Sequence, residues 1–357
     1  MLIALLFVAG VILLVAGGEL LIRGAARLAT SLGVQPLIVG LTVVALGTSA
    51  PELAVCIQAS LAGQPDIAVG NVIGSNIFNV LFILGLSALI VPLTVSVQLV
   101  RLDVPLMVAV SGIAYLLARN GRISFIEGLL LTLGGIGYTV LQIMLSRRPS
   151  VEVDVEEAHG ARSIPIDLVL IVLGIGILVV GSRWLVQGAV ALAQALGASE
   201  LVIGLTIVAA GTSLPEVATS IVAAVRGQRD LAVGNVIGSN LFNLFFVLGI
   251  VALTAPGGIP VPPEAIRFDL LIMLLVAVMC LPIFFGGYRI ARFDGALLFA
   301  YYIVYTTYLI MTAGEHHALP AFRIIFGYVL IPASFTFLLL STVHSWQEMR
   351  AGAAPDP

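Results

Sequence analysis

The sequence predicts an all-α polytopic membrane protein made of two inverted-topology five-helix repeats plus an appended eleventh transmembrane helix. Three observations predict it. Hydrophobic residues make up 60% of the 357 and charged residues only 10%, with a mean hydropathy of +1.15. A soluble chain cannot hide that much apolar surface, so the class is a multi-span helical membrane protein. The chain also matches itself at a constant offset of 164 residues: Gly40 to Gly204, Glu52 to Glu216 and Asn79 to Asn243. Finally, each copy holds five apolar runs, and an odd number of crossings makes the second copy enter the membrane upside down.

The spans follow in order. The first runs from about Leu2 into a small-residue tail near Ser31. It lacks the basic n-region of a signal peptide and its counterpart recurs mid-chain, so it is read as a retained helix. The second covers about Pro36 to Ala62, and the turn GQPD (Gly63 to Asp66) leads into the third, about Ile67 to Ile90. The fourth and fifth cover about Asp103 to Leu117 and Ser124 to Leu145. Residues 1–146 thus form the first repeat, and 147–163 a polar linker expected on the cytoplasmic side. The acids of the linker, Glu152, Asp154, Glu156 and Glu157, lack the spacing and the glycine of an EF-hand loop and read as solvated. Residues 164–313 form the second repeat. ILVVGSRWLVQGAVALAQALG aligns with LLVAGGELLIRGAARLATSLG, and RFD at Arg267 to Asp269 repeats RLD at Arg101 to Asp103. Residues 314–357 hold an extra apolar run, about Ala321 to Thr342, and a tail. His316 and His317 before that run read as solvated and unliganded.

All 16 basic residues are arginine, and the net charge of −3 comes with no basic cluster for nucleic acid. Cys56 and Cys280 lie singly in apolar runs and read as free core thiols. Arginines near the span ends favour a cell inner (plasma) membrane protein with the N-terminus outside and the C-terminus cytoplasmic. No HExxH motif or catalytic acid–base set occurs, so an enzyme is not expected.

The polar chemistry is confined to the repeated motifs. GLTVVALGTSAPELAV (Gly40 to Val55) returns as GLTIVAAGTSLPEVAT (Gly204 to Thr219), each with one glutamate at membrane depth. Such a carboxylate costs roughly 2.5 kcal/mol or more and ordinarily lines an ion path or binding site. Thr48 and Ser49 stand four and three residues before Glu52, with Ala45 a turn earlier; Thr212, Ser213, Ala209 and Glu216 repeat the pattern. Pro51 and Pro215 have no N–H for the carbonyls of Gly47 and Gly211, which breaks the helix and turns carbonyl oxygens sideways. In the third and eighth spans, Ser75 and Asn79, like Ser239 and Asn243, are four apart and share a face. Asn71, Asn76, Asn235 and Asn240 are expected to tie helices together. Carboxylates, hydroxyls and carbonyls form an all-oxygen set suited to hard cations such as Ca²⁺ or Na⁺ and not to zinc or copper. Inverted repeats around a midplane site are the plan of secondary transporters.

GTSAPE and GTSLPE, each followed by GNVIGSNxFN, resemble the two alpha repeats of the sodium/calcium exchanger family, within the cation/calcium exchanger superfamily and closest to its compact prokaryotic members. The resemblance implies an antiporter that exchanges Na⁺ for Ca²⁺ by alternating access, with these ions and the lipid bilayer as its partners and no cofactor. It implies Ca²⁺ on Glu52 and Glu216 with the carbonyls of Thr48 and Thr212. It implies Na⁺ sites with oxygens from Ala45, Ser49 and Ser75, and from Ala209, Ser213 and Ser239, completed by Asn79 and Asn243. Many members carry an aspartate at one of these last two positions, and this chain has asparagine at both. A H⁺/Ca²⁺ antiporter is the alternative; a passive channel usually builds its pore from identical subunits instead.

Overall fold

The computed structural model describes residues 2–61, 63, 65–146, 164–195, 209–255, 257–285 and 287–313, together with positions 332 and 336. The acidic linker, the His316–His317 pair and the eleventh span lie outside the described residues.

Twelve helices carry the described fold. They are α1 (Leu2–Leu32), the bent pair α2 (Pro36–Thr48) and α3 (Ala50–Leu61), α4 (Pro65–Ile90), α5 (Leu99–Ala118) and α6 (Phe125–Ser146). The second half holds α7 (Ile164–Ala195), α8 (Ala209–Thr212), α9 (Leu214–Val225), α10 (Arg229–Thr254), α11 (Ala265–Phe285) and α12 (Arg292–Ala313). The expected third, fourth and fifth spans thus appear within a few residues of their predicted bounds. Among the described residues, eight single helices are long and apolar enough to cross a bilayer, and the bent pair α2–α3 makes a ninth span.

Burial sorts these helices. In α4 and α10, 72% and 83% of the span is buried, against 28% and 22% for α6 and α12, so the repeated asparagine-bearing helices form the centre of the bundle. Small residues permit that. Gly234 lies against the Leu37 carbonyl of α2, and a Cβ on Gly238 would stand 2.8 Å from the Leu41 backbone and from Ala45 Cβ. Two short antiparallel ribbons join the halves. β1 (Leu93–Thr94) pairs with β4 (Arg289–Ile290), and β2 (Arg122–Ile123) with β3 (Ile259–Pro260).

The long helices α1 and α7 cross backbone to backbone through glycine. A Cβ on Gly174 would lie 2.7 Å from the Leu21 nitrogen, and one on Gly17 2.8 Å from the Leu178 nitrogen. Small residues of this kind let membrane helices approach closely. α1 is further held to the end of α9 by Glu19, which pairs with Arg226 at 2.7 Å and with Arg23 of its own helix at 2.5 Å.

Candidate ion-binding site

Each half breaks its helix at the same residue. Ser49 sits between α2 and α3 at φ −84°, ψ 3°, and Ser213 between α8 and α9 at φ −91°, ψ 10°. Proline two residues later forbids the next helical hydrogen bond, and α2 and α3 meet at 42°. The glutamates therefore lie in the first turn of α3 and α9, where the helix dipole favours a negative charge. Each carboxylate also accepts its own backbone N–H.

The two breaks then exchange partners. Ser49 Oγ donates to Glu216 Oε1 at 2.9 Å, and Ser213 Oγ donates to Glu52 Oε1 at 2.9 Å. Ser75 Oγ lies 3.1 Å from Ser213 Oγ and donates to it, since the Ser213 proton is already given to Glu52. Glu52 is 2% exposed and Glu216 0%, and Oε2 of each has no hydrogen-bond partner. Spacing along one helix puts Ser49 and Glu52 on one face; the fold instead gives the serine to the other half's glutamate.

The threonines are fixed in the same crossed way. Thr48 Oγ1 donates to Asn235 Oδ1 at 3.1 Å, and Thr212 Oγ1 to Asn71 Oδ1 at 3.1 Å. Asn235 donates in turn to Ser220 at 2.9 Å, and Asn71 to Cys56 Sγ at 3.2 Å. Asn71 and Asn235 thus tie helices together as expected. Cys56, read from the sequence as a free core thiol, is one and buried; its supporting role and that of Ser220 the sequence reading passed over, and their shared place in the two repeats was the available signal. Ala45 O accepts the Ser49 N–H at 3.0 Å. Ala209 opens α8.

At the centre, Asn79 and Asn243 each begin a π-helical turn, Asn79–Leu84 and Asn243–Val247, a widening frequent at functional sites. Asn79 Nδ2 donates to Asn240 Oδ1 at 3.0 Å. Asn79 Oδ1, Ser239 Oγ and both amide atoms of Asn243 are buried without partners, and Ser239 stands close to the Glu216 carboxylate. Orphaned buried polar atoms each cost roughly 1–3 kcal/mol. Five such oxygens (Glu52 Oε2, Glu216 Oε2, Asn79 Oδ1, Asn243 Oδ1 and Ser239 Oγ) have no cationic side chain bonded to them among the described residues, and oxygens of this kind suit a hard cation.

A cavity of about 430 Å³ lies beside α4. Asp66, Gly70, Asn71 and Gly74 of α4, Thr212 of α8 and Asp269 of α11 are among its walls. Asp269 accepts from Tyr305 of α12 at 3.0 Å. The equivalent acid of the first half, Asp103, is 0% exposed and enclosed: Tyr138 donates to it at 3.0 Å, and Gln142 and Gln98 donate to its two oxygens. RLD and RFD were legible as a repeat, but nothing in them marked a buried acid with a neutral cage.

An inverted five-helix duplication with paired carboxylates at crossed helix breaks defines a secondary transporter of the membrane, and not an enzyme. Residues 2–144 and 166–311 match the sodium/calcium exchanger protein family, and the chain belongs to it. Among its relatives are the putative antiporter CaxA of Alkalimonas amylolytica, 36% identical over 85% of this chain and 98% of that one, and the sodium/calcium exchanger MaX1 of Methanosarcina acetivorans, 30% identical over 85% and 97%. The inner membrane protein YrbG of Escherichia coli is 38% identical over 77% and 86%. The solved structure of the sodium-calcium exchanger NCX_Mj superposes with a TM-score of 0.74 at 32% identity, covering 85% of this chain and 97% of that one.

Proposed function

We propose that this chain exchanges Na⁺ for Ca²⁺ by alternating access at the crossed site. Glu52 and Glu216, with the carbonyls of Thr48 and Thr212, hold Ca²⁺. Ala45, Ser49 and Ser75, and Ala209, Ser213 and Ser239, supply oxygens to Na⁺, and Asn79 and Asn243 complete the centre. The observation that carries this reading is the reciprocal pair of bonds, Ser49 to Glu216 and Ser213 to Glu52, which leaves one free oxygen on each carboxylate. The bonds make the two glutamates one site, so an ion there is seen by both halves at once.

Na⁺ coupling is supported by the surplus of neutral oxygen. A proton-coupled site needs little beyond carboxylates that titrate as Ca²⁺ leaves, whereas hydroxyls and amide oxygens flank both acids here. Ca²⁺ takes about six to eight oxygens and Na⁺, of similar radius, uses the same kind of ligand. Access alternates as α1 and α7 slide together across the site: their glycine-lined crossing makes them one unit, and Glu19–Arg226 ties that unit to one end of the site-bearing bundle. The N-terminus lies outside and the C-terminus in the cytoplasm, which a reporter fused after Pro357 reads directly; an external reporter overturns that orientation.

The test is purified protein in liposomes loaded with Ca²⁺. External Na⁺ triggers Ca²⁺ efflux with pH clamped, and a pH gradient without Na⁺ does not. Efflux driven by the pH gradient alone replaces this reading with a H⁺/Ca²⁺ antiporter.

A further inference from the structure

Resting on the exchange just proposed, we infer that Asn235 is a positioning residue for Ca²⁺: it takes the hydroxyl proton of Thr48 and so keeps that proton off the Glu216 carboxylate, which stays open to the ion. Thr48, Asn235 and Ser220 are all buried. The orientation of the Asn235 amide decides which way the proton goes. Its Nδ2 faces Ser220 Oγ at 2.9 Å and the backbone carbonyl of Glu216 at 3.5 Å. A carbonyl has no proton to give, so the nitrogen is the end turned toward it, and Oδ1 is the end turned toward Thr48. Oδ1 only accepts, so Thr48 Oγ1, 3.1 Å away, is the donor. A hydroxyl has one proton. Once that proton is given to Asn235, Thr48 shows the rest of its surroundings only lone pairs.

Those surroundings include the carboxylate. Thr48 stands close to Glu216 as well as to Asn235, and its neighbour Ser49 already donates to Glu216 Oε1 at 2.9 Å. Glu216 Oε2 is buried and has no partner. Without the Asn235 oxygen, the Thr48 proton has two acceptors left. The Ala45 carbonyl lies 3.4 Å from Thr48 Oγ1 and already takes the Ser49 N–H at 3.0 Å. The carboxylate still has a bare oxygen, and a buried acceptor left bare is costly, so the proton goes there. It then caps the carboxylate beside Ser49, and Ca²⁺ has to displace it before binding. Asn235 removes this competitor beforehand, where the helix break of one half meets the glutamate of the other. Asn71 takes the Thr212 proton at 3.1 Å in the same way, but its nitrogen rests on the Cys56 thiol at 3.2 Å, a weaker acceptor than a hydroxyl. Asn235 is the more firmly oriented of the two.

The experiment uses the full chain in Na⁺-loaded liposomes, with initial Ca²⁺ uptake measured against external Ca²⁺. Asn235→Leu is expected to raise half-saturating Ca²⁺ by about 10-fold. Because the Thr48 proton competes with the ion, raising Ca²⁺ restores the rate. Thr48→Val keeps the Thr48 carbonyl and removes only the hydroxyl, so in that background Asn235 has no proton to hold. The double variant Thr48→Val/Asn235→Leu is expected to lie within about twofold of Thr48→Val in half-saturating Ca²⁺, and below Asn235→Leu. A packing role for Asn235 adds the same loss in both backgrounds, and equal losses overturn the inference. An unchanged half-saturation in Asn235→Leu, or a rate that Ca²⁺ does not restore, overturns it too. If Asn235→Leu alone does not fold, the double variant against Thr48→Val carries the test, since replacing both partners of a buried bond by apolar groups is nearly neutral. A further loss there of more than about twofold overturns the inference. No Na⁺-driven Ca²⁺ uptake by the unmutated chain overturns the exchange reading and this one with it.

Discussion

The same nine residues, AVGNVIGSN, occur at Ala68–Asn76 and at Ala232–Asn240, and they live in different places. Gly70 and Gly74 are among the residues around a cavity of about 430 Å³, and most of the second-half counterpart of α2, residues 200–208, lies outside the described residues. Gly234 and Gly238 lie beneath α2, within 3.1 Å and 2.8 Å of its atoms by the measure of an added Cβ. Asp269 borders the cavity beside one tyrosine, while Asp103 is shut in by a tyrosine and two glutamines. At the helix breaks the halves agree, Ser49 and Ser213 each on the opposite glutamate and Thr48 and Thr212 each on an asparagine of the other half, whereas Ser75 bonds Ser213 and Ser239 Oγ has no partner. The glutamate–serine and threonine–asparagine bonds are thus duplicated, while the surroundings of the two buried aspartates are not.

The comparison breaks most sharply at the glutamates, where the halves are equal. Glu52→Gln and Glu216→Gln are each expected to reduce Ca²⁺ flux by about 100-fold or more, equivalent to roughly 2.7 kcal/mol, with the protein still folding. Ca²⁺ flux in liposomes measures it, and near-normal exchange by either variant would separate the two acids into different sites.

The two aspartates are expected to differ. Asp103→Ala strands Tyr138, Gln142 and Gln98 in a dry interior and costs about 3 kcal/mol; Asp269→Ala strands Tyr305 alone beside a cavity and costs about 1 kcal/mol. Thermal unfolding of the detergent-solubilised variants ranks them, and equal losses would mean that the neutral cage around Asp103 contributes nothing.

Two glycines give a smaller contrast. Gly238→Ala forces a methyl against α2 and is expected to destabilise by about 1–3 kcal/mol. Gly137→Ala, on the exposed face of α6 with nothing near an added Cβ, is expected to be neutral or slightly stabilising, since alanine favours a helix by about 1 kcal/mol over glycine. The same unfolding assay checks both, and a reversed order would contradict the packing of α2 on α10.

The smallest effect lies behind the threonines, where Cys56 in one half stands in the place of Ser220 in the other. Cys56→Ser makes the halves alike there and strengthens the bond from Asn71. It is expected to change stability by no more than about 1 kcal/mol and to leave Ca²⁺ flux within a factor of about two. A large loss of flux would make the thiol itself a working part.

Composition alone determined that this chain lives in a membrane, because its apolar surface has no other place to go. Periodicity at 164 residues determined the inverted duplication, and a glutamate and proline in each apolar run determined where the helix breaks and which acids meet. The polar residues of the repeated motifs were legible in this way as candidates, since charge and missing N–H groups in a bilayer leave few options. What the sequence did not decide is who bonds whom. A serine three residues from a glutamate shares its helix face, yet Ser49 serves Glu216 and Ser213 serves Glu52, because the inverted axis brings each break against the other. Nor could the sequence reveal that Asp103 is enclosed by Tyr138, Gln142 and Gln98 while its counterpart Asp269 meets Tyr305, because which side chains stand against a buried acid is decided by how the helices pack and not by the repeat that carries it.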